Sequence, residues 1–265
     1  KKELACEKAK RLVEEGIQFS EFGTRRRRSF QVQEMVIQGL IRGCNESGGG
    51  GTTKGKLVGT SNLDLARKYG LDAIGTVAHE WTMAVAALKG YQASNLSALK
   101  AWDECYSPPP SASRNPNHDL TIALTDTFSS EVFFRDLSSQ PEGVEMMRRW
   151  RGLRQDSGDP KRFAERARDF YQSIGIQPSS KVIIYSDNLN VEKSIELHRH
   201  SNSIGIRAGF GIGTNLTNDF TTRSSNRERS KPLNIVIKLD TIDDRPTVKI
   251  SDDLTKNTGD PEQVR

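Results

Sequence analysis

Seven times along the chain, a short and almost uninterrupted apolar run ends in small, polar or charged residues and is followed by a helical stretch. The runs are FSEFGT (19–24), KLVGTS (56–61), LDAIGT (71–76), TIALTD (121–126), RGLRQD (151–156), KVIIYSD (181–187) and IGIRAGFG (204–211). Between them stand helical patterns such as HEWTMAVAALKG, PKRFAERARDFYQSIG and NVEKSIELHRHS. A strand with one wet face alternates apolar and polar residues. These runs do not alternate, so the strands they predict are buried on both faces, as in a parallel sheet covered by helices. Seven strand–helix steps predict an α/β fold, an irregular, TIM-like parallel α/β barrel of about seven strands, with a doubly wound open sheet as the alternative. Residues 1–15 predict a helix, with Leu4, Ala5, Ala9, Leu12 and Val13 on roughly one face. NIVIKLD (234–240) and TVKISDD (247–253) read as a hairpin that breaks the rhythm. The expected organisation is an N-terminal helix at 1–18, the barrel at 19–231, and strands of an incomplete small α+β domain at 232–265.

Composition narrows the class. The 265 residues are 34% hydrophobic and 28% charged, enough for one large core. No run of about 18 apolar residues predicts a membrane span. The first residues, KKELACEKAK, lack a signal peptide's apolar stretch and begin inside a helical pattern without Met, as expected for a piece of a longer protein. With 39 Lys+Arg against 34 Asp+Glu, the net charge of +5 suits an enzyme of phosphates or carboxylates and equally a weak nucleic-acid binder. Cys6, Cys44 and Cys105 are odd in number and form no C-x-x-C pair, which points to a reduced compartment, cytoplasmic or also nuclear.

In parallel βα folds the chemistry gathers at the carboxyl ends of the strands. Here those ends carry Gly23, Thr24 and Arg25; Thr60 and Ser61; Thr76 and, three residues on, His79; Asp126; Arg154, Asp156 and Ser157; Ser186, Asp187 and Asn188. The last run opens into AGFGIGTN. The strand positions predict that these groups converge on one mouth. Gly209, Gly211 and Gly213, followed by Thr214, suit an anion cradle with the next helix adding its dipole, or else a tight turn needing positive φ. His79 suits a phosphate acceptor, a general base or a satisfied core residue. Glu80 beside it orients the ring or begins a helix. Asp126, Asp156, Asp159 and Asp187 suit Mg²⁺ held jointly with substrate phosphates, or ribose hydroxyls; Asp126 and Asp159 equally suit helix caps. No tightly bound metal is expected. Among Arg25–Arg28, one or two guanidiniums are expected to grip anions and the rest to face solvent.

Two patterns are decoys. Gly50–Lys56 reads G-x-x-x-x-G-K, but Leu57 follows where a phosphate loop needs Ser or Thr, and a strand follows where it needs a helix. His198 and His200 stand two apart at a helix end, a poor metal-ligand spacing. The segments 45–56, 107–119 and 222–232 read as long surface loops.

Taken together, EFGTRRRRSF, LVGTSNLDLARKYGLDAIGTVAHEW, LTDTFSSEVFF, GLRQDSGDP, YSDNLN, AGFGIGTNLTND and PLNIVIKL resemble the type II phosphoribosyltransferases, most closely the nicotinate phosphoribosyltransferases of fungal and bacterial kind. The segments lie over residues 20–253 in family order, without the family's N-terminal domain. The resemblance implies transfer of phosphoribosyl from 5-phosphoribosyl 1-diphosphate to nicotinate, giving nicotinate mononucleotide for NAD biosynthesis. It also implies ATP as co-substrate and Mg²⁺ with the substrate phosphates. It implies that His79 is phosphorylated by ATP, that Phe22 stacks on the pyridine ring, and that Arg25 and Arg154 hold carboxylate and phosphate groups. Asp156 and Asp187 would touch ribose or Mg²⁺, Asp126 would lie near the diphosphate, and Gly209, Gly211 and Gly213 would receive the 5′-phosphate. The resemblance thus makes His79, Arg154 and Asp156 catalytic, and Phe22, Gly23, Thr24, Arg25, Ser61, Asp126, Ser157, Asp187, Asn188, Gly209, Gly211, Gly213 and Thr214 substrate-binding. The related nicotinamide enzyme carries Asp where Ser61 stands. A hydroxyl can donate to nicotinate's carboxylate and a carboxylate would repel it.

Three alternatives remain: the nicotinamide enzyme; a quinolinate phosphoribosyltransferase, against which the H-E-W at 79–81 speaks; and an inactive barrel acting as a binding module through Arg25–Arg28 and the 222–232 loop, whose affinity would fall steeply with salt. The expected partners are nicotinate, 5-phosphoribosyl 1-diphosphate and ATP, with no nucleic acid and no membrane, in a monomer or homodimer.

Overall fold

The computed structural model describes residues 1–48, 54–106, 120–221, 228–233 and 235–259. The sequence loops at 45–56, 107–119 and 222–232, and the Gly50–Lys56 match, lie wholly or partly outside the described residues. Seven strands follow the predicted runs: β1 (Gln18–Glu21), β2 (Lys56–Thr60), β3 (Asp72–Ala73), β4 (Ile122–Leu124), β5 (Gly152–Gln155), β6 (Val182–Tyr185) and β7 (Arg207–Ile212). The chain is an α/β protein with seven parallel strands, as the rhythm predicts. Ten α-helices are described, α1 (Lys2–Glu14), α2 (Phe30–Glu46), α3 (Leu63–Tyr69), α4 (His79–Lys89), α5 (Ser94–Tyr106), α6 (Ser130–Ser138), α7 (Pro141–Arg149), α8 (Pro160–Ser173), α9 (Val191–Ser203) and α10 (Thr214–Thr217).

Two compact units divide these elements, and both are discontinuous in sequence. The first holds Lys1–Gly75, Tyr185–Ser203 and Ala208–Val236; the second holds Thr76–Ile184, Ile204–Arg207 and Ile237–Arg265. The expected boundaries at 18/19 and 231/232 follow the chain, whereas the contacts follow these units.

In the first unit the strand order is β3-β2-β1-β7, all parallel. Phe19 in β1, Phe210 and Ile212 in β7, and Leu12, Ile37 and Leu40 of the covering helices are buried. Helix α1 lies directly on α2 because Gly39 and Gly43 leave room for its backbone. A Cβ at either would stand 2.3 Å from the carbonyl oxygen of Lys2 or Cys6. Helix α2 starts where the Ser29 side chain accepts from the Val32 N–H, and α3 where Asn62 accepts from Leu65 N–H at 3.1 Å. Strand β3 is short and exposed, so its run contributes less sheet than expected.

In the second unit the order is β6-β5-β4. Its core is aromatic: Phe134 meets Phe170 at 4.8 Å and Phe133 at 5.8 Å between centroids, beside buried Trp150 and Leu153. Asp159 starts α8 by accepting from the Lys161 and Arg162 N–H groups, both at 2.9 Å, so the capping reading of this residue holds.

The C-terminal hairpin differs from expectation. Its strands are β8 (Thr241–Ile242) and β9 (Arg245–Pro246), not 234–240 and 247–253. The turn sets the register, because Asp243 and Asp244 both adopt positive φ, 48° and 57°, as a two-residue hairpin loop requires. Ile235, Val236 and Ile237 remain exposed. Residues 247–252 pair elsewhere in the second unit. Ile250 N–H donates to Thr127 O at 2.7 Å, Ser129 N–H donates to Ile250 O at 2.8 Å, and Val248 packs on Ala86 and Phe128. Apolar alternation announced a strand at 247–253 but not its partner.

Gly152 in β5 faces the β6 backbone so closely that a Cβ would stand 1.9 Å from Val182 O, whereas a Cβ at Gly75 would meet nothing within 4 Å. Gly152→Ala should therefore lower unfolding free energy by about 1–3 kcal/mol, and Gly75→Ala should stay within about 0.5 kcal/mol of wild type. Urea unfolding of the two variants checks this; equal losses would contradict the packing argument.

Candidate active site

Strand ends in the second unit bring five of the expected residues together. His79 opens α4, Asp126 and Thr127 follow β4, and Arg154, Asp156 and Ser157 close β5. His79 is 6% exposed and Asp126 1%. The imidazole is held on both edges: Nδ1 lies 3.0 Å from Thr127 Oγ1, and Nε2 faces Asp156 Oδ2 at 3.4 Å and Asp126 Oδ1 at 3.8 Å. Burial pushes the His79 pKa below the ordinary histidine value, against the upward pull of Asp156 and Asp126. Arg154 donates to Asp156 Oδ1 at 2.8 Å and to Thr76 Oγ1 at 2.7 Å, which fixes its guanidinium plane. Glu80 turns away from the ring to Lys238 at 3.3 Å, so it does not orient His79.

Asp126 is no helix cap; Ser129 takes that place at α6. Its Oδ2 accepts from Ser157 Oγ at 2.5 Å and Ser251 Oγ at 3.3 Å, while Oδ1 is buried without a hydrogen-bond partner among the described residues. Lys249 Nζ lies 3.8 Å from Oδ2 and is itself buried, and that burial holds its pKa below the usual lysine value. Asp252 fastens the same segment by accepting from Ser130 N–H at 2.7 Å and Ser130 Oγ at 2.6 Å. Thr127, Lys249 and Ser251 are thus part of the cluster, and the sequence reading missed them. The S-D-D of 251–253 beside a buried Lys was the one local signal. His79, Asp126 and Asp156 each offer a ligand atom, all within 4.8 Å of one another, the grouping a cation requires.

The strand ends of the first unit build a second cluster. Glu21 is fully buried. Its Oε2 accepts from Gln33 Nε2 at 2.8 Å and Thr60 Oγ1 at 2.5 Å, and its Oε1 accepts from the Gly23 N–H. Burial raises the Glu21 pKa and these donors oppose the rise. Gln33 Nε2 also donates to Thr24 Oγ1 at 2.9 Å, and Thr24 Oγ1 lies 2.7 Å from Ser61 Oγ. Thr24, Ser61 and Gly23 are therefore organised by two residues, Glu21 and Gln33, that the sequence reading did not select. The clue was a carboxylate inside an otherwise apolar run.

Gly209 and Gly211 lie within β7 and Gly213 follows it, and the tight-turn alternative for them does not hold. Gly209, Gly211 and Gly213 all have negative φ, so no left-handed turn explains them. At Gly211 a Cβ would stand 2.7 Å from the Phe22 ring. The absent side chain there makes room for an aromatic face. Helix α10 has only four residues, too short to add much dipole. Thr214 is its first residue. Gly23 is required in turn, since a Cβ would stand 2.2 Å from Thr217 Oγ1. Among the four arginines, Arg26 and Arg27 are bound to Leu233 O and Gln33 Oε1, and Arg25 and Arg28 are exposed. Asp187 and Asn188 stand in the loop after β6, where Asn188 Nδ2 donates to Asp187 Oδ1 at 3.1 Å. His198 Nε2 accepts from Asn202 Nδ2 at 3.1 Å and, among the described residues, belongs to no group of side chains placed to hold a metal.

The family model described as the nicotinate phosphoribosyltransferase (NAPRTase) family matches residues 17–265. The chain belongs to this family. The nicotinate phosphoribosyltransferase of Saccharomyces cerevisiae is 43% identical over 265 residues, 99% of this chain and 58% of that protein. The nicotinate phosphoribosyltransferase of Methanosarcina mazei is 42% identical over 263 residues, 99% and 57% respectively. The solved nicotinate phosphoribosyltransferase of Porphyromonas gingivalis superposes with a TM-score of 0.83 at 36% identity, covering 99% of this chain and 61% of that one. The chain thus spans about three fifths of the length of the relatives it matches. Among the described residues, no helix is long and apolar enough to cross a membrane.

The Lys249–Asp126 pair tests the His79 cluster energetically. Asp126→Asn strips a buried ammonium of its counter-charge and should cost roughly 3 kcal/mol of stability. The double variant Asp126→Asn/Lys249→Met should lose less than the sum of the two single losses. Urea unfolding of the three variants checks this; strict additivity would mean the two charges do not interact.

Proposed function

We propose that the full-length protein is a nicotinate phosphoribosyltransferase. It transfers phosphoribosyl from 5-phosphoribosyl 1-diphosphate to nicotinate, coupled to ATP hydrolysis through phosphorylation of His79. The observation that carries this reading is His79 itself: a dry imidazole, anchored at Nδ1 by Thr127, with its Nε2 edge turned to two carboxylates at the first turn of α4. In the reacting tautomer Nδ1 donates its hydrogen to Thr127, and the Nε2 lone pair attacks the γ-phosphorus of ATP. The bond from that phosphorus to the bridging oxygen breaks and ADP leaves. Water later cleaves the P–N bond, releasing phosphate and restoring the imidazole. The helix N-terminus favours the phosphoryl group's negative charge.

In the transfer step the pyridine nitrogen forms a bond to ribose C1 while the C1–oxygen bond to diphosphate breaks. That nitrogen is already a nucleophile, so no strong general base is needed. Negative charge grows on the leaving diphosphate, and Arg154, already oriented by Asp156 and Thr76, is the residue we assign to it. Phe22 is assigned to the pyridine face, Ser61 and Arg25 to the carboxylate. Asp187 and Asn188 are assigned to ribose. Gly209, Gly211, Gly213 and Thr214 are assigned to the 5′-phosphate through backbone N–H groups.

Two carboxylates beside a triphosphate would repel it. Mg²⁺ fits here, because Asp126 Oδ1 is buried without a hydrogen-bond partner among the described residues and hard carboxylate oxygens suit this ion. Asp126 and Asp156 would hold it jointly with substrate phosphates, where it supplies charge neutralisation. We place the protein in the cytoplasm, where Cys6, Cys44 and Cys105 stay as free thiols.

The test is product formation by the full-length protein from labelled nicotinate or nicotinamide, with 5-phosphoribosyl 1-diphosphate and Mg²⁺, with and without ATP. Nicotinate mononucleotide made faster with ATP is expected; no product from either base would overturn the reading. His79→Ala should abolish the phosphohistidine. Because burial lowers the His79 pKa, the acid limb of phosphorylation should be centred below the ordinary histidine midpoint near ~6.5, as measured by acid-labile phosphate across a pH series. An acid limb centred above that value would contradict the burial argument.

A further inference from the structure

The hydrogen bonds around Glu21 form a chain that ends at Ser61; either hydroxyl can donate in its last link, and the Gln33 contact at Thr24 favours one direction. The Gln33 amide cannot be turned round. Its Oε1 accepts from Arg27 NH1 at 3.0 Å and from Asn62 Nδ2 at 2.9 Å, while its Nε2 donates to Glu21 Oε2 and Thr24 Oγ1. Arginine has no acceptor, so exchanging the amide atoms would set the Gln33 NH₂ against the Arg27 guanidinium. Three donors converge on Glu21, from Gly23, Gln33 and Thr60, and Thr60 Oγ1 in turn accepts from the Asn62 N–H at 3.1 Å. Both Nε2 hydrogens of Gln33 are used, one on Glu21 and one on Thr24.

Thr24 Oγ1 is thereby an acceptor from Gln33, and its own hydrogen is left for its other neighbour, Ser61 Oγ at 2.7 Å. The Thr24 backbone N–H points at the same Ser61 oxygen at 3.4 Å. Two hydroxyls sharing one hydrogen bond always leave one O–H over. With both lone pairs of Ser61 Oγ taken by Thr24, the hydrogen left over is the serine's. Ser61 is only half-buried, so this hydrogen is within reach of a ligand.

We propose that Glu21, Gln33 and Thr24 are positioning residues for substrate choice: they lock Ser61 as a hydrogen-bond donor with no free lone pair. A group that only accepts, such as a carboxylate, satisfies it. An amide that turns its C=O to Ser61 points its NH₂ at Arg25, the other donor assigned to the carboxylate, so either way round two donors face each other. This inference rests on the functional reading above and deepens it. Selection for the acid over the amide arises from the order of hydrogens behind Ser61, not from Ser61 alone.

The experiment compares kcat/KM for nicotinate and nicotinamide in the full-length protein, with ATP, for wild type, Thr24→Val, Thr24→Ser, Ser61→Ala and the double variant Thr24→Val/Ser61→Ala. Thr24→Val frees the Ser61 lone pair and should lower the nicotinate-to-nicotinamide ratio about ten-fold or more, chiefly through KM for nicotinate. Thr24→Ser should restore the ratio, and the double variant should fall no further than Ser61→Ala. Thr24→Ala gives the same readout should the valine variant fail to fold. A ratio unchanged by Thr24→Val but lowered by Ser61→Ala overturns the inference and leaves the function standing. A wild type that converts neither base overturns the functional reading instead. Calorimetric binding of the two bases to the same variants then decides the inference by the same ratio.

Discussion

A carboxylate removed from water survives only if its surroundings replace the water, and this chain carries two such groups at strand ends. Glu21 at the end of β1 and Asp126 after β4 are both almost fully buried. Each recruits hydroxyl, amide or ammonium groups from segments far apart in sequence. An unpaired ion in such a place would cost several kcal/mol or change its protonation. The need to satisfy these two groups dictates much of the loop structure around them. Residues 23–24 and 60–62 converge on the Glu21 cluster, and Ser157, Lys249 and Ser251 converge on Asp126. Around Glu21 the residues assigned to substrate are neighbours of the buried acid, whereas Asp126 is itself assigned to the ion that would accompany the substrate phosphates.

The strands were legible because burial on both faces erases alternation, a property of the local sequence alone. Every one of the seven runs became a strand, and α4, α8 and α9 begin where the helical patterns begin. His79, Asp126, Arg154, Asp156 and Ser157 were legible for the same reason: strand ends in a parallel fold are where polar residues accumulate. What was not legible depends on partners distant in sequence. Lys249 and Ser251 look like an ordinary strand until Asp126 is known to lie opposite. Gln33 sits within a helix whose pattern gives no reason to single it out. Gly211 reads as a phosphate cradle or a turn, and only the Phe22 ring reveals why a side chain is excluded there.

The hairpin teaches the same point from the other side. The sequence reading placed hairpin strands at 234–240 and 247–253, yet the register is decided by Asp243 and Asp244, whose positive φ values close a two-residue turn. Turn chemistry overrode apolar pattern there. Beyond the turn, Lys249 pairs with Thr258, while Ile250 spends its backbone groups on the loop between β4 and α6.

That last attachment bears on synthesis at the ribosome. Asp252 reaches back 122 residues to Ser130, and Ser251 reaches back 125 to Asp126. A nascent chain displaying His79, Thr127 and Asp156 still lacks the serine and the ammonium that steady Asp126, because these are added more than ninety residues after Ser157. Contacts of such long sequence separation form late and slowly. The cluster around Asp126 is therefore completed only after residue 251 has been made, and until then Asp126 has Ser157 but lacks Lys249 and Ser251.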